Sequence, residues 1–256
     1  MKKNQFGFRE NLSTEDALEH FMENIYNNVD KAKPTAAIFI DLAKAFDTLH
    51  HEHLLKKLEY MGMRGKSQEL LKNYLENRWQ SVRINKEESN VNIMQYGIPQ
   101  GTVIGPLLFI LYINDLYNIS KKYKIFSFAD DTSIVFEDKK WDQLLKNIKQ
   151  QMPEIQEWFC NNLLTINVDK TYFLLFGQHI DTIPTISEIQ YKYRHEIIKI
   201  KISTNVKYLG VIIDCHLRWD HHIKHISNKL RYLPYTFSKF RNIFDSHCII
   251  HYFDLN

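Results

Sequence analysis

Apolar residues first recur at helical spacing in "LSTEDALEHFMENIYNNV", where Leu18, Phe21, Met22, Ile25, Tyr26 and Val29 share one face. Ser13 and Asp16 stand at the spacing of a capping box ahead of that helix. The period then changes. Thr35 to Ile40 in "TAAIFIDLAKAFD" is a continuous apolar run with β-branched residues, which predicts a buried strand ending at Asp41. "HHEHLLKKLEYMG" returns to helical spacing through Leu54, Leu55 and Leu58, and "QELLKNYLENRW" predicts a second short helix. "QSVRIN" and "VNIMQYG" read as two strands joined by the polar loop "KEESN". "GPLLFILYINDLYNI" predicts a buried helix opened by Gly105-Pro106.

Residues 141–160 carry apolar side chains at Trp141, Leu144, Leu145, Ile148, Met152, Ile155 and Trp158, again helical, with Pro153 expected to kink or split the helix. "KTYFLLFG", "EIIKIKIS" and "VKYLGVIID" are strands. From about His216 the chain turns helical and basic. The order is an α+β pattern, with most strands antiparallel and one layer of helices.

"FSFADDTSIVF", Phe126 to Phe136, places adjacent aspartates between two apolar flanks. Taken alone, the pair fits an exposed hairpin turn, since Asp tolerates turn geometry. It equally fits a metal site, because unpaired buried carboxylates are costly. Asp41 can join Asp130 and Asp131 if the first strand and the hairpin are neighbours. Three carboxylates at one place need cations between them. Hard oxygen ligands, few of them from protein, suit Mg²⁺, and two such ions form the clamp of in-line phosphoryl transfer.

Composition is globular: 256 residues, 44% hydrophobic and 25% charged, enough for one large domain or two small ones. The net charge of +3 permits an anionic partner without demanding one. Cys160, Cys215 and Cys248 are odd in number and widely spaced, which disfavours a disulfide framework or a cysteine zinc site. "MKKNQFGFRE" lacks the apolar core of a signal peptide. "IGPLLFILYI" is about half of the roughly 20 apolar residues a membrane span needs. The sequence therefore reads as soluble, not secreted and without a membrane partner, in the nucleus or the cytoplasm.

The motifs carry more. "QFGFRENLSTEDAL", "FIDLAKAFD", "YGIPQGTVIGPLLF", "FADD", "LLTINVDKT" and "VKYLGVIID" occur in that order between about Gln5 and Asp214. The series resembles the reverse transcriptase of non-LTR retrotransposons, particularly the jockey-like group, and the likeness extends to about Lys229. It implies a right-hand polymerase core. The finger-region motif would lie at about 5–18, the first palm strand would start near 35, and fingers remnant and palm would together fill 1–215. The start of a thumb would occupy 216–256. "KAFD" and "GIPQGTVIGPLLF" favour this branch over a group II intron maturase or a viral RNA polymerase.

The resemblance assigns roles residue by residue. Asp41 and Asp130 match the metal-binding carboxylates, and Asp131 the second Asp of the pair. The ions are expected to be two Mg²⁺, with Mn²⁺ able to substitute. Phe46 matches an aromatic gate that would clash with a ribose 2′-hydroxyl; the plainer reading is a core Phe. Gly97, Pro99, Gln100 and Gly101 match the loop against the template base and incoming nucleotide, where glycine permits close backbone approach and Gln100 offers both donor and acceptor. Asn167 and Lys170 match the "N…KT" motif. Lys170 could assist the leaving pyrophosphate or be a surface lysine. Leu209 and Gly210 match the primer-grip hairpin. Lys44 and Asp47 read as structural, Asp47 as a helix cap.

His221 and His225 stand four residues apart, and His50, His51 and His53 cluster earlier, but the ligands are too few to argue for zinc. "LRWDHHI" instead fits the family's segment before the thumb. Lys224, Lys229, Arg231, Lys239 and Arg241 interleave with Tyr232, Tyr235 and Phe237, a pattern suited to a nucleic-acid backbone or to helix packing.

The expected partners are an RNA template, a DNA primer and dNTPs, and the expected reaction is templated dNTP addition to a primer 3′-hydroxyl. The sequence begins at the second finger motif and stops within the expected thumb, so a truncated polymerase with weak activity or none is expected. A non-catalytic nucleic-acid-binding relic of such an element is the alternative.

Overall fold

The computed structural model describes residues 3–240, except 77, 100, 120–121 and 180–181, with side chains to 234. Gln100, Arg241 and Cys248 lie outside the described residues, as do the side chains of Tyr235, Phe237 and Lys239.

Helix α1 (Thr14–Asp30) opens with the anticipated capping box: Asp16 N–H donates to Ser13 Oγ at 3.2 Å, and Ser13 N–H donates to Asp16 Oδ2 at 2.6 Å. Strand β1 (Thr35–Ile40) follows, buried at every position. Its alternate residues serve two cores. Ala36, Ile38 and Ile40 face one, and Ala37 and Phe39 face the other, which is why the run is apolar without alternation. Helices α2 (His51–Tyr60), α3 (Lys66–Leu75) and α4 (Ile104–Tyr112) pack into the first core, α4 being followed by a 3₁₀ turn at Asn114–Asn118.

Between α3 and α4 stand four two-residue strands, β2 (Trp79–Gln80), β3 (Arg83–Ile84), β4 (Glu87–Glu88) and β5 (Asn92–Ile93). β2 pairs with β5 and β3 with β4, as one hairpin whose register slips by a residue between the pieces. The turn lies at Asn85–Lys86, with Asn85 at φ 56°, not across "KEESN" as the polarity suggested. Asn reaches the left-handed region more easily than the glutamates do.

β6 (Lys124–Phe128) and β7 (Asp131–Glu137) form the aspartate hairpin. Helix α5 (Trp141–Asn161) runs unbroken through Pro153, against expectation. Its stripe of Leu144, Ile148, Met152, Ile155 and Phe159 is fully buried on both sides of the proline, and that burial outweighs one missing hydrogen bond.

The remaining strands are β8 (Tyr172–Phe176), β9 (Glu188–Tyr193), β10 (Glu196–Ile202), β11 (Asn205–Tyr208) and β12 (Val211–Asp214), before helix α6 (Asp220–Phe240). The main sheet is ordered β6-β7-β1-β8-β10-β9, antiparallel except where β10 runs parallel to β8. Its helices are not a single layer. α2 to α5 cover one face, while α1 and the β11–β12 hairpin cover the other through Phe21, Ile25, Tyr208 and Ile213.

α6 begins four residues later than its composition suggested, and Asp214 explains the start. Its carboxylate accepts backbone N–H bonds from His216 at 3.0 Å, Arg218 at 3.1 Å and Trp219 at 2.8 Å. Burial opposes its ionisation, but these donors hold the carboxyl below its ordinary range. That stabilisation is present above the unfolded-state carboxylate pKa and is lost as pH falls through the depressed folded value. Asp214→Ala should cost about 2–4 kcal/mol in urea unfolding near neutral pH, and the deficit should shrink in acid. An unchanged midpoint would show that the junction is held otherwise.

Candidate active site

The β1–β7 ladder decides the site. Ile40 pairs with Thr132, so Asp41 continues β1 opposite Asp131, one step past the last pair. The β6–β7 ladder closes with Phe128 opposite Asp131, leaving Ala129 and Asp130 as a two-residue turn. Ala129 is buried at φ 56°. Two-residue hairpin turns need positive φ to follow the strand twist, and a non-glycine residue there marks stored strain. Asp130 and Asp131 are exposed at the tip, and Asp41 is half-buried.

The charges are close enough to act on one another. Partial enclosure of its carboxyl, then repulsion from Asp130 and Asp41, pushes Asp131 up to about 6. Asp131 is nevertheless exposed as a residue, so solvent screens much of this in energy terms. Its folded pKa lies above the unfolded value, so this group destabilises the fold increasingly as pH rises from 3.8 through about 6. Asp131→Asn should therefore leave metal-free stability equal at pH 3.5 and raise it by up to about 1 kcal/mol at pH 7. A loss at pH 7 in urea unfolding would contradict mutual repulsion.

Asp41 is held on both sides. Its N–H donates to Thr171 Oγ1 at 3.3 Å, Thr171 Oγ1 donates to Asn167 O at 2.8 Å, and Asn167 N–H donates to Asp41 O at 2.8 Å. Leu42 bridges Ile166. The "LLTINVDKT" segment thus lies along the first motif, with Lys170 exposed in a 3₁₀ turn at Val168–Lys170. Thr171, within "KT", has a role that residue type alone did not reveal.

Phe46 stacks on Phe109 at 4.6 Å between ring centroids and is half-buried, so it is a packed ring that solvent still partly reaches. Ile98 N–H donates to Phe46 O at 2.9 Å and Gly97 N–H to Leu49 O at 2.8 Å, joining the "GIP" turn to the segment after Asp41. Gly97 needs its missing side chain: it has φ 83°, and a Cβ would stand 3.0 Å from Asp47 O. Pro99 is half-buried, and Gly101 is exposed at φ 79°. His51 Nε2 lies 2.7 Å from Gly97 O and donates to it. His50, not Asp47, caps α2, its Nδ1 accepting from His53 N–H at 3.3 Å. A groove of about 570 Å³ opens beside this turn, lined by Asp47, Arg78, Trp79 and Tyr96 among others.

Leu209 and Gly210 form the β11–β12 turn, at φ 47° and 85°. Next to them, buried Tyr208 stands 3.2 Å from Ser133 Oγ, and the charge of Asp131 raises its pKa further after burial has done most of the work. The β11–β12 turn therefore adjoins the aspartate hairpin. In α6, His222 Nδ1 accepts from Ile212 N–H at 3.3 Å.

Among the described residues no three His, Cys, Asp or Glu side chains close around one point as a metal cage. The donor set still fits Mg²⁺, which binds through one or two carboxylates and keeps water and substrate phosphates in its shell. The mutual repulsion at Asp131 is what such a cation would relieve.

The main sheet carries its three aspartates at one end, and sequence comparison supplies the family. Residues 1–213 match the family described as Reverse transcriptase (RNA-dependent DNA polymerase), and the chain belongs to that family. It is 28% identical over 233 residues to the probable RNA-directed DNA polymerase from transposon BS of Drosophila melanogaster, covering 86% of this chain and 24% of the relative. It is 27% identical over 238 residues to the RNA-directed DNA polymerase from mobile element jockey of Drosophila funebris, covering 90% and 25%. The jockey-like resemblance is thus borne out, and the chain spans about a quarter of the curated relatives it matches. In fold it resembles Candida albicans telomerase solved with a telomeric RNA fragment, with TM-score 0.54 and 13% identity over 83% of this chain and 34% of that one. No helix among the described residues is long and apolar enough to cross a membrane.

Proposed function

We propose that this chain is the catalytic core of an RNA-directed DNA polymerase that adds dNTPs to a DNA primer 3′-hydroxyl on an RNA template. The observation that carries the reading is the β1–β7 register, which sets Asp41 beside Asp131 with Asp130 at the adjoining turn. Asp41 and Asp130 would hold two Mg²⁺ ions, or Mn²⁺ in their place, with Asp131 less directly involved. Bound there, the ions would activate the primer hydroxyl and neutralise charge building on the α-phosphate and the leaving pyrophosphate. Phe46 would lie under the incoming sugar. Gly97, Pro99, Gln100 and Gly101 would back the template base and nucleotide, and Leu209 and Gly210 would support the primer end. Lys170 would face the leaving group from the segment that also holds Asp41.

Primer extension on poly(rA)/oligo(dT) with Mg²⁺ or Mn²⁺ tests this, using the 256-residue chain and the chain joined to flanking segments of a jockey-type relative. Incorporation of dTTP that disappears with Asp41→Asn is expected; incorporation that survives it counts against the assignment. Nucleic-acid binding without synthesis is the second reading. Exposed Lys224, Lys229, Arg231 and Tyr232 on α6 favour it, since basic and aromatic side chains suit a backbone and its bases. Template–primer binding with no extension in either form would select it.

A further inference from the structure

The segment before α1 braces the back of the aspartate hairpin. Gln5 bridges Ser127 in parallel, Phe6 N–H donates to Ser127 O at 2.9 Å, and Ser127 N–H donates to Asn4 O at 3.1 Å. The brace is itself fixed. Arg9 Nη1 donates to Gln5 O at 2.7 Å, and Tyr117 OH donates to Asn4 O at 3.1 Å. Fully buried Gln5 accepts from Gly7 N–H through Oε1 at 3.0 Å, and buried Phe6 packs on His20 of α1 with ring centroids 5.3 Å apart.

Gly7 is where this segment touches the turn. A Cβ there would stand 2.3 Å from Ala129 N and 3.0 Å from Phe128 C. Both atoms are backbone, so no side chain can swing away to make room, and packed interiors do not absorb such an overlap without displacement. Gly7 is not among the residues at positive φ, unlike Gly97, Gly101 and Gly210. Its requirement is space, not backbone freedom. The atom it presses on opens the turn of Ala129 and Asp130, already strained at φ 56°.

We propose that Gly7 is a positioning residue for the catalytic hairpin. By carrying no side chain, it lets the N-terminal segment seat against Ala129 and so sets where Asp130 and Asp131 stand relative to Asp41. The consequence for metal rests on the carboxylates binding the ions as proposed above.

The test is Gly7→Ala in the 256-residue chain, read by amide hydrogen exchange and by Mn²⁺ titration followed by electron paramagnetic resonance. Exchange at residues 128–132 should quicken at least tenfold, while the β1 and β8 amides keep their protection. The Mn²⁺ dissociation constant should rise at least fivefold, and Gly7→Val should exceed Gly7→Ala in both. Phe6→Leu loosens the brace without placing atoms at the turn, so it stays informative if Gly7→Ala fails to fold. It should quicken exchange at 128–132 selectively. Unchanged hairpin exchange and Mn²⁺ affinity in Gly7→Ala overturn the proposal, as does a uniform rise in exchange across the sheet in either variant. If wild-type Mn²⁺ binding does not depend on Asp41, the proposed metal site fails instead, and hairpin exchange alone decides the role of Gly7.

Discussion

Replacing Asp130 by asparagine is expected to reduce incorporation by roughly 10³-fold or more in any form of this chain that extends a primer, about 4 kcal/mol of transition-state stabilisation. Asp130 sits at the hairpin tip, exposed and next to Asp131, which faces Asp41 across the ladder. An amide keeps the size of the carboxylate and can still ligate weakly, but it removes the charge that would hold a divalent ion. The metal-free protein should be as stable as wild type or more so, because one of the charges raising the pKa of Asp131 is gone. The paired results matter together. Lost activity with lost stability would be a folding defect, whereas lost activity with intact or improved stability identifies a metal ligand. Extension at the wild-type rate would remove Asp130 from the assignment.

Opening the space at Phe46 is expected to change which sugar is accepted. The ring lies five positions past Asp41, stacked on Phe109 and only half-buried, and its carbonyl accepts from Ile98 in the turn carrying Gly97 and Pro99. Phe46→Val removes most of the ring while leaving that backbone bond in place. The efficiency of ribonucleotide relative to deoxyribonucleotide incorporation should rise by about tenfold or more, equivalent to ~1.4 kcal/mol of relieved discrimination. Overall efficiency should fall as well, since the stack on Phe109 is lost. The ratio separates the roles. A ring that merely packs would lower both incorporations together and leave the ratio where it was.

Much of this arrangement was readable along the chain. The apolar run Thr35–Ile40 predicted β1 with its observed ends, and Ser13 with Asp16 predicted the start of α1. These are local matters: which residues avoid water, and which side chain can satisfy an orphaned backbone N–H. The aspartate pair also pointed to a hairpin tip, although the turn proper takes Ala129 and Asp130 and leaves Asp131 as the first residue of β7. Local rules failed where a distant partner changed the balance. Pro153 reads as a break, yet burial of Met152 and Ile155 carries α5 past it. β9 lies outside the strands predicted from the sequence, although Ile189 and Tyr191 alternate inward with polar neighbours, the period of a strand buried on one side.

Most of the elements, the family and the short roster of carboxylates were legible in the sequence, since periodicity and motif order are properties of residues near one another in the chain. That β7 and β8 flank β1, and hence that Asp41 meets Asp131 on one side and the Asn167–Thr171 clamp on the other, is a matter of long-range pairing. The same holds for Gly7, which rests on Ala129, more than a hundred residues away. Nothing in a strand's own residues names its neighbour. Pairing is settled by which arrangement buries both faces of β1 at once while leaving every ladder hydrogen bond made, and that is a condition on the whole chain.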